Sequence, residues 1–111
     1  NTAPPPVIQK PSSYGAVAWN HKKGLLGTAS KQASKQVAID TAMQKCGDTS
    51  CEVATWYANQ CVAGGYGMLK GGYPWYVSLG LNQQKAEKNL LTNCGKKAKN
   101  CKISFSECSL P

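Results

Sequence analysis

The chain has no arginine, one histidine, one phenylalanine and five acidic residues among its 111 positions. Each scarcity narrows the function. Without Arg there is no planar fork for bidentate contact with phosphate or guanine, and all thirteen cations are lysine point charges. The lone His21 falls in an expected turn beside Lys22 and Lys23, with neither nucleophile nor orienting acid nearby, so it is expected to be a solvated turn residue. The acids, Asp40, Asp48, Glu52, Glu87 and Glu107, form no close catalytic pair and no alternating metal loop. Glycines 64, 65, 67, 71 and 72 build neither a phosphate-cradling loop nor a GxGxxG turn entering a helix. No run approaches the roughly 18 apolar residues of a membrane-spanning helix. The expectation is a protein without catalytic residues, metal or cofactor.

Cysteine is what the chain does have. Cys46, Cys51 and Cys61 form one triplet, and Cys94, Cys101 and Cys108 a second. Both begin at a Cys-Gly pair closing a helix-like segment, Cys46-Gly47 and Cys94-Gly95. Zinc is the rival use of cysteine, but these spacings and a single His fit compact ligand clusters poorly. Disulfides are expected, and with them an exported protein. The chain opens at Asn1 without Met, as a mature or trimmed chain would; a removed signal or an upstream lipid-anchor cysteine is compatible with that.

The pattern reads as a β-β-α-β unit present twice. Residues 1–13 hold four of the six prolines and read as an extended tether, with a polyproline recognition arm as the functional alternative. Residues 14–19 and 25–30 read as a hairpin around the turn 20–24. Ala38, Ile39, Ala42, Met43 and Cys46 then share a helical stripe, capped by Ser34 and stopped by Gly47. From 51 to 58 strand alternation returns, with Cys51, Val53, Thr55 and Tyr57 on one face. The second unit repeats the order. Residues 61–67 are a Gly-rich strand, 68–74 a loop and 75–81 a strand. Asn82 caps a helix with inner stripe Ala86, Leu90, Leu91 and Cys94, and Gly95 ends it. Cys101, Ile103 and Phe105 share a face of the last strand. Ala38 and Cys46 match Ala86 and Cys94 at one offset, a repeat signal. The expected architecture is a single compact α+β domain over residues 14–111, its pseudo-repeats at about 14–58 and 61–108. An antiparallel sheet is packed by two helices.

The repeat narrows the 15 connectivities that six cysteines allow. Cys46–Cys51 and Cys94–Cys101 would each tie a helix end to the following strand. If strands 61–67 and 101–107 are antiparallel, Cys61 meets Cys108, and that long loop restricts the unfolded chain most.

Two regions are candidate binding surfaces. The segment 64–76 carries Tyr66, Tyr73, Trp75 and Tyr76 among glycines, suited to presenting aromatic anchors; its plain alternative is a long hairpin whose aromatics fold onto the core. Lys96, Lys97, Lys99 and Lys102 are the second, plainly a solvated turn, but with the aromatics a surface for single-stranded nucleic acid or an anionic glycan. The net charge of +8 carries the same two readings, a solvated surface or attraction to a polyanion.

The strand YGAVAW, the helix ending in Cys-Gly, the Cys51-Glu52-Val53-Ala54 strand and Asn59-Gln60-Cys61-Val62-Ala63 resemble a bacterial exported family, domain of unknown function 4189. The resemblance covers residues 14–108, with more departure in the second half, where the Gly-Tyr segment is longer. It implies the periplasm or cell surface and transfers no catalytic residue. The expected function is binding of a macromolecule, first a protein, as a binding module or as an immunity or inhibitor protein. The alternative is a Lys-driven binder of nucleic acid or another polyanion, and then an enzyme with an unrecognised site.

Overall fold

A computed structural model describes residues 11–111. The sequence reading of residues 1–13 as a tether therefore lies mostly outside the described residues. Eight elements follow in the order β1 (Tyr14–Asn20), β2 (Leu25–Gln32), α1 (Lys35–Cys46), β3 (Glu52–Ala58), β4 (Gln60–Met68), β5 (Trp75–Gly80), α2 (Gln83–Gly95) and β6 (Lys99–Ser109). The β-β-α-β unit occurs twice. The sheet comes in two antiparallel three-stranded pieces, one per unit, ordered β2-β1-β3 and β5-β4-β6.

The two sheets face each other and each carries its helix on the outside. In the first unit Ala38, Ala42 and Cys46 of α1 pack on Ala16, Ala18 and Ala29. Small side chains let that helix approach closely: a Cβ on Gly27 would lie 2.1 Å from the Ala42 carbonyl oxygen. In the second unit Ala86 and Leu90 of α2 pack on Cys61 and Ala63. The opposite strand faces meet in the middle, where Val17 and Tyr57 of one sheet contact Val62, Val77, Leu79 and Phe105 of the other. Thr28 donates to the Glu107 carboxylate across this seam at 2.9 Å, and the Lys31 amide donates to the Ser109 hydroxyl.

Both helices start on the expected caps: the Ser34 hydroxyl accepts from the Val37 amide and the Asn82 side chain from the Lys85 amide. Their ends differ. Gly47 takes the left-handed conformation, φ 79°, whereas α2 runs through Gly95 and ends at Lys96 in right-handed geometry. Leu91 is 41% exposed and leaves the expected inner stripe, because the neighbouring Leu90 takes the buried position.

The three expected disulfides are formed: Cys46–Cys51, Cys61–Cys108 and Cys94–Cys101. Cys61 and Cys108 are direct cross-strand partners on β4 and β6, with Cα atoms 3.9 Å apart.

Strand faces depart from strict alternation at the same place in each unit. Along β3 the register slips between the partners of Val17 and Ala18, leaving Ala54 as a bulge. Tyr57 and Thr55 therefore face the other sheet, while Val53 and Cys51 turn toward α1. Along β6 a first slip leaves Ser104 out, so Phe105 faces the other sheet and Ile103 the α2 side, and a second falls between the partners of Tyr66 and Met68. One inserted residue reverses every side chain beyond it.

Candidate functional site

The glycines of β4 are packing positions. A Cβ on Gly64 would lie 2.1 Å from the Phe105 ring, one on Gly65 2.0 Å from the Lys102 carbonyl oxygen, and one on Gly67 2.8 Å from the Cys94 sulfur. Gly64, Gly65 and Gly67 thus let an aromatic ring, a strand bulge and a disulfide close on one strand. Only residues 69–74 form the turn before β5, closed by reciprocal Leu69 and Gly72 backbone bonds.

The candidate aromatics divide between two faces. Tyr66 pairs with Trp75 across β4 and β5, and both point to the inter-sheet side. Tyr73, 56% exposed, sets its ring edge-on to Tyr66 at 6.2 Å. Tyr76 pairs with Gly65 on the opposite face and packs half-buried against the Cys61, Ala63 and Leu90 cluster. The structure brings Tyr66, Tyr73 and Trp75 together and leaves Tyr76 in the α2 core.

Sequence reasoning missed the first unit's share of this surface. Trp19 meets Trp75 edge-on at 5.8 Å, and the exposed His21 ring meets Trp75 at 5.9 Å. Trp19 pairs with Leu26 just beyond the first bulge, as Tyr66 pairs with Trp75 just beyond the second. The equivalent cross-strand pairs of the two units therefore face one another. With Phe105 they wall a cleft of about 240 Å³. The repeat offset of 47 from Trp19 to Tyr66 was the signal available for it.

The candidate lysines sit at the same end of the second unit. Lys102 is the β6 partner of Tyr66, and Lys99 that of Met68. Lys96, Lys97 and Lys99 border a basin with Lys70 from the β4–β5 turn. All five side chains are exposed, and among the described residues none is in an ion pair. No Asp or Glu occurs in residues 53–86 or 88–106.

The corresponding end of the first unit is neutralised. Asp48 accepts from the Ser50 hydroxyl and amide, and Lys23 lies 3.1 Å away. Those hydrogen bonds, Ser50 first and then Lys23, lower its carboxyl to about 2. Tyr57 is pushed up by burial between the sheets; Ser109 offsets part of this, although no hydrogen bond of standard geometry reaches the hydroxyl.

No group of three His, Cys, Asp or Glu side chains able to hold a metal ion occurs among the described residues, and no cysteine there is free. No described helix is long and apolar enough to cross a membrane.

The sequence profile of a family described as a domain of unknown function, DUF4189, matches residues 14–108. No curated protein and no solved structure matches the chain. The chain belongs to the DUF4189 family, as its strand and cysteine pattern suggested.

Proposed function

We propose that this DUF4189 member is an exported bacterial protein, periplasmic or cell-surface, that binds a macromolecular partner without catalysing a reaction. The partner is a protein, and the domain serves as a binding module or as an immunity or inhibitor protein. Three disulfides in a chain of this size support export, since such bonds persist in oxidising compartments. One observation carries the binding reading. Aromatics and lysines far apart in sequence converge on one end of the second unit, on a scaffold stapled by two disulfides. Half-exposed aromatic rings on rigid strands are suited to anchor a partner, because they bury large area with few rotors.

A second reading, binding of nucleic acid or another polyanion, is supported by the acid-free stretch around Lys70, Lys96, Lys97, Lys99 and Lys102. One experiment separates the two. The oxidised protein is immobilised and challenged with envelope extract, heparin and DNA at physiological salt. A protein retained by the native but not by the reduced, alkylated domain supports the first reading. Retention of heparin or DNA alone, falling steeply with salt and weakened by Lys96→Gln, Lys97→Gln and Lys99→Gln, replaces it with the second.

A further inference from the structure

The aromatic cleft and the lysine basin are joined. Tyr66 borders both the cleft and a neighbouring groove that also holds Tyr73 and Lys102. Met68 and Asn100 border both that groove and the basin with Lys70 and Lys97. One surface track therefore runs along β4, apolar at one end and cationic at the other.

Taking a protein partner as given by the function proposed above, we infer that this track holds an extended acidic peptide segment. A large apolar or aromatic side chain of that segment enters the cleft, and carboxylates follow it toward the lysines. The cleft selects the anchor. Its walls are Trp19, Leu26, Tyr66, Trp75 and Phe105, and polar groups are few. A sugar ring would bring hydroxyls that such walls leave without partners, which is costly. An apolar side chain brings none. The cations select the rest. Lysine ammonium groups pair with carboxylates as point charges, whereas nucleic-acid recognition favours the Arg that this chain lacks.

The register gives the spacing. Trp75 and Lys102 both pair with Tyr66, and Lys99 pairs with Met68 two β4 residues on, about 7 Å away at strand rise, because a second register slip between Tyr66 and Met68 sets three β6 steps against two of β4. In an extended peptide, side chains on one face recur every second residue. Lys102 is thus level with the anchor, a carboxylate two residues on falls beside Lys99, and one four residues on reaches the basin that Lys70 borders beyond the end of β4. The recognised pattern is an apolar anchor, a spacer, an acid, a spacer and an acid.

The test uses the oxidised protein and a capped peptide carrying Phe-Ser-Glu-Ser-Glu between glycines. Two controls replace Phe by Ser or both Glu by Gln. Binding is followed by NMR, which also registers millimolar affinity. The expected result is saturable binding, with shifts at the Trp19 and Trp75 indoles and at the Lys99 and Lys102 amides. Each control should bind at least about tenfold more weakly, the loss usual for a central anchor. Leu26→Glu places a repelling charge on the rim at an exposed position and should cost a similar factor with the fold intact. The pair Lys99→Gln and Lys102→Gln, on exposed strand positions, gives an independent variant. Equal binding of the Phe-free peptide, absence of saturation, or shifts confined to the first-unit turn overturns the inference. Tighter binding of a thymidine oligonucleotide with the same indole shifts overturns it in favour of single-stranded nucleic acid. An envelope protein retained equally by wild type and Leu26→Glu overturns the track but leaves the proposed function standing. Loss of every protein partner, with oligonucleotide binding kept, overturns both.

Discussion

The two units share a scaffold and differ at one end. In each, a capped helix lies on the outer face of a three-stranded sheet, its last Cys is tied to the next strand, and a bulge turns an aromatic-bearing strand toward the seam. A ring lies over a central-strand glycine in both, Tyr57 over Gly15 and, nearer the bulge, Phe105 over Gly64. The difference is in the turns. The first unit closes its end with Lys23, Asp48 and Ser50 bonded to one another. The second presents Lys70, Lys96, Lys97 and Lys99 with no acid beside them. Parts kept in both copies are those the fold needs. The parts that differ, Tyr73 and the unpaired lysines, are not required by packing and are where binding is sought.

The far ends also differ, and here the largest effect is expected. Cys61–Cys108 fastens β4 to β6. Its counterpart position in the first unit, Tyr14 opposite Ala58, has no bridge. That end is held by hydrogen bonds of 2.9 Å between the Ser13 and Asn59 backbones and between the Ser13 amide and the Asn59 side chain. Loop entropy assigns about 4 kcal/mol to the long Cys61–Cys108 loop and about 2 kcal/mol to each short one. Replacing Cys61 and Cys108 by Ala should therefore lower denaturant stability about twice as much as replacing Cys46 and Cys51. Equal losses would show that strain or residual unfolded structure, not loop length, sets the contribution.

Next in size are the two seam rings. Tyr57 is 2% exposed and Phe105 half-buried, so Tyr57→Ala should cost about 3–5 kcal/mol and Phe105→Ala less. The reverse order in urea melts would move the centre of the seam into the second unit. The helix caps should be matched: Ser34→Ala and Asn82→Ala each cost about 1 kcal/mol. A marked difference in their midpoints would break the equivalence of the units.

The smallest effect belongs to Asp48. Its carboxyl is lowered from 3.8 to about 2 in the fold, so its contribution is present above 3.8 and is lost as pH falls toward 2. Stability of the wild type should therefore drop slightly more than that of Asp48→Asn across this window, in thermal melts at low salt. Parallel curves would remove the pair as a stabilising difference between the units.

Much of this was legible in the sequence. Six strands, two helices with their N-caps, the Gly47 stop of α1 and all three disulfide pairs follow from period, cap residues and the repeated cysteines, whereas the stop expected at Gly95 gives way to Lys96. Side-chain faces were not. Nothing in Val53-Ala54-Thr55 or Ile103-Ser104-Phe105 marks the inserted residue, because a bulge is set by the partner strand's register. Splitting the strands into two facing sheets is likewise a tertiary outcome: Val17 and Val62 look alike as strand residues whichever layer they meet. The proposed binding surface was half visible. The Tyr and Lys residues of the second unit stood out by composition, while Trp19, Leu26 and Phe105 became part of the cleft only when the sheets stacked.

The central claim is that binding belongs to the second unit's aromatic and lysine end, with the cleft it shares with Trp19 and Leu26, and not to the outer faces of the scaffold. A photo-crosslinking side chain introduced at Tyr73, and separately at Gln36 on the outer helix of the first unit, tests it directly in the intact oxidised protein. Both positions are exposed, so neither change should disturb folding. Irradiation in envelope extract is predicted to give one discrete protein adduct from position 73 and none from position 36. The same adduct from both positions, or an adduct from position 36 alone, would contradict the account.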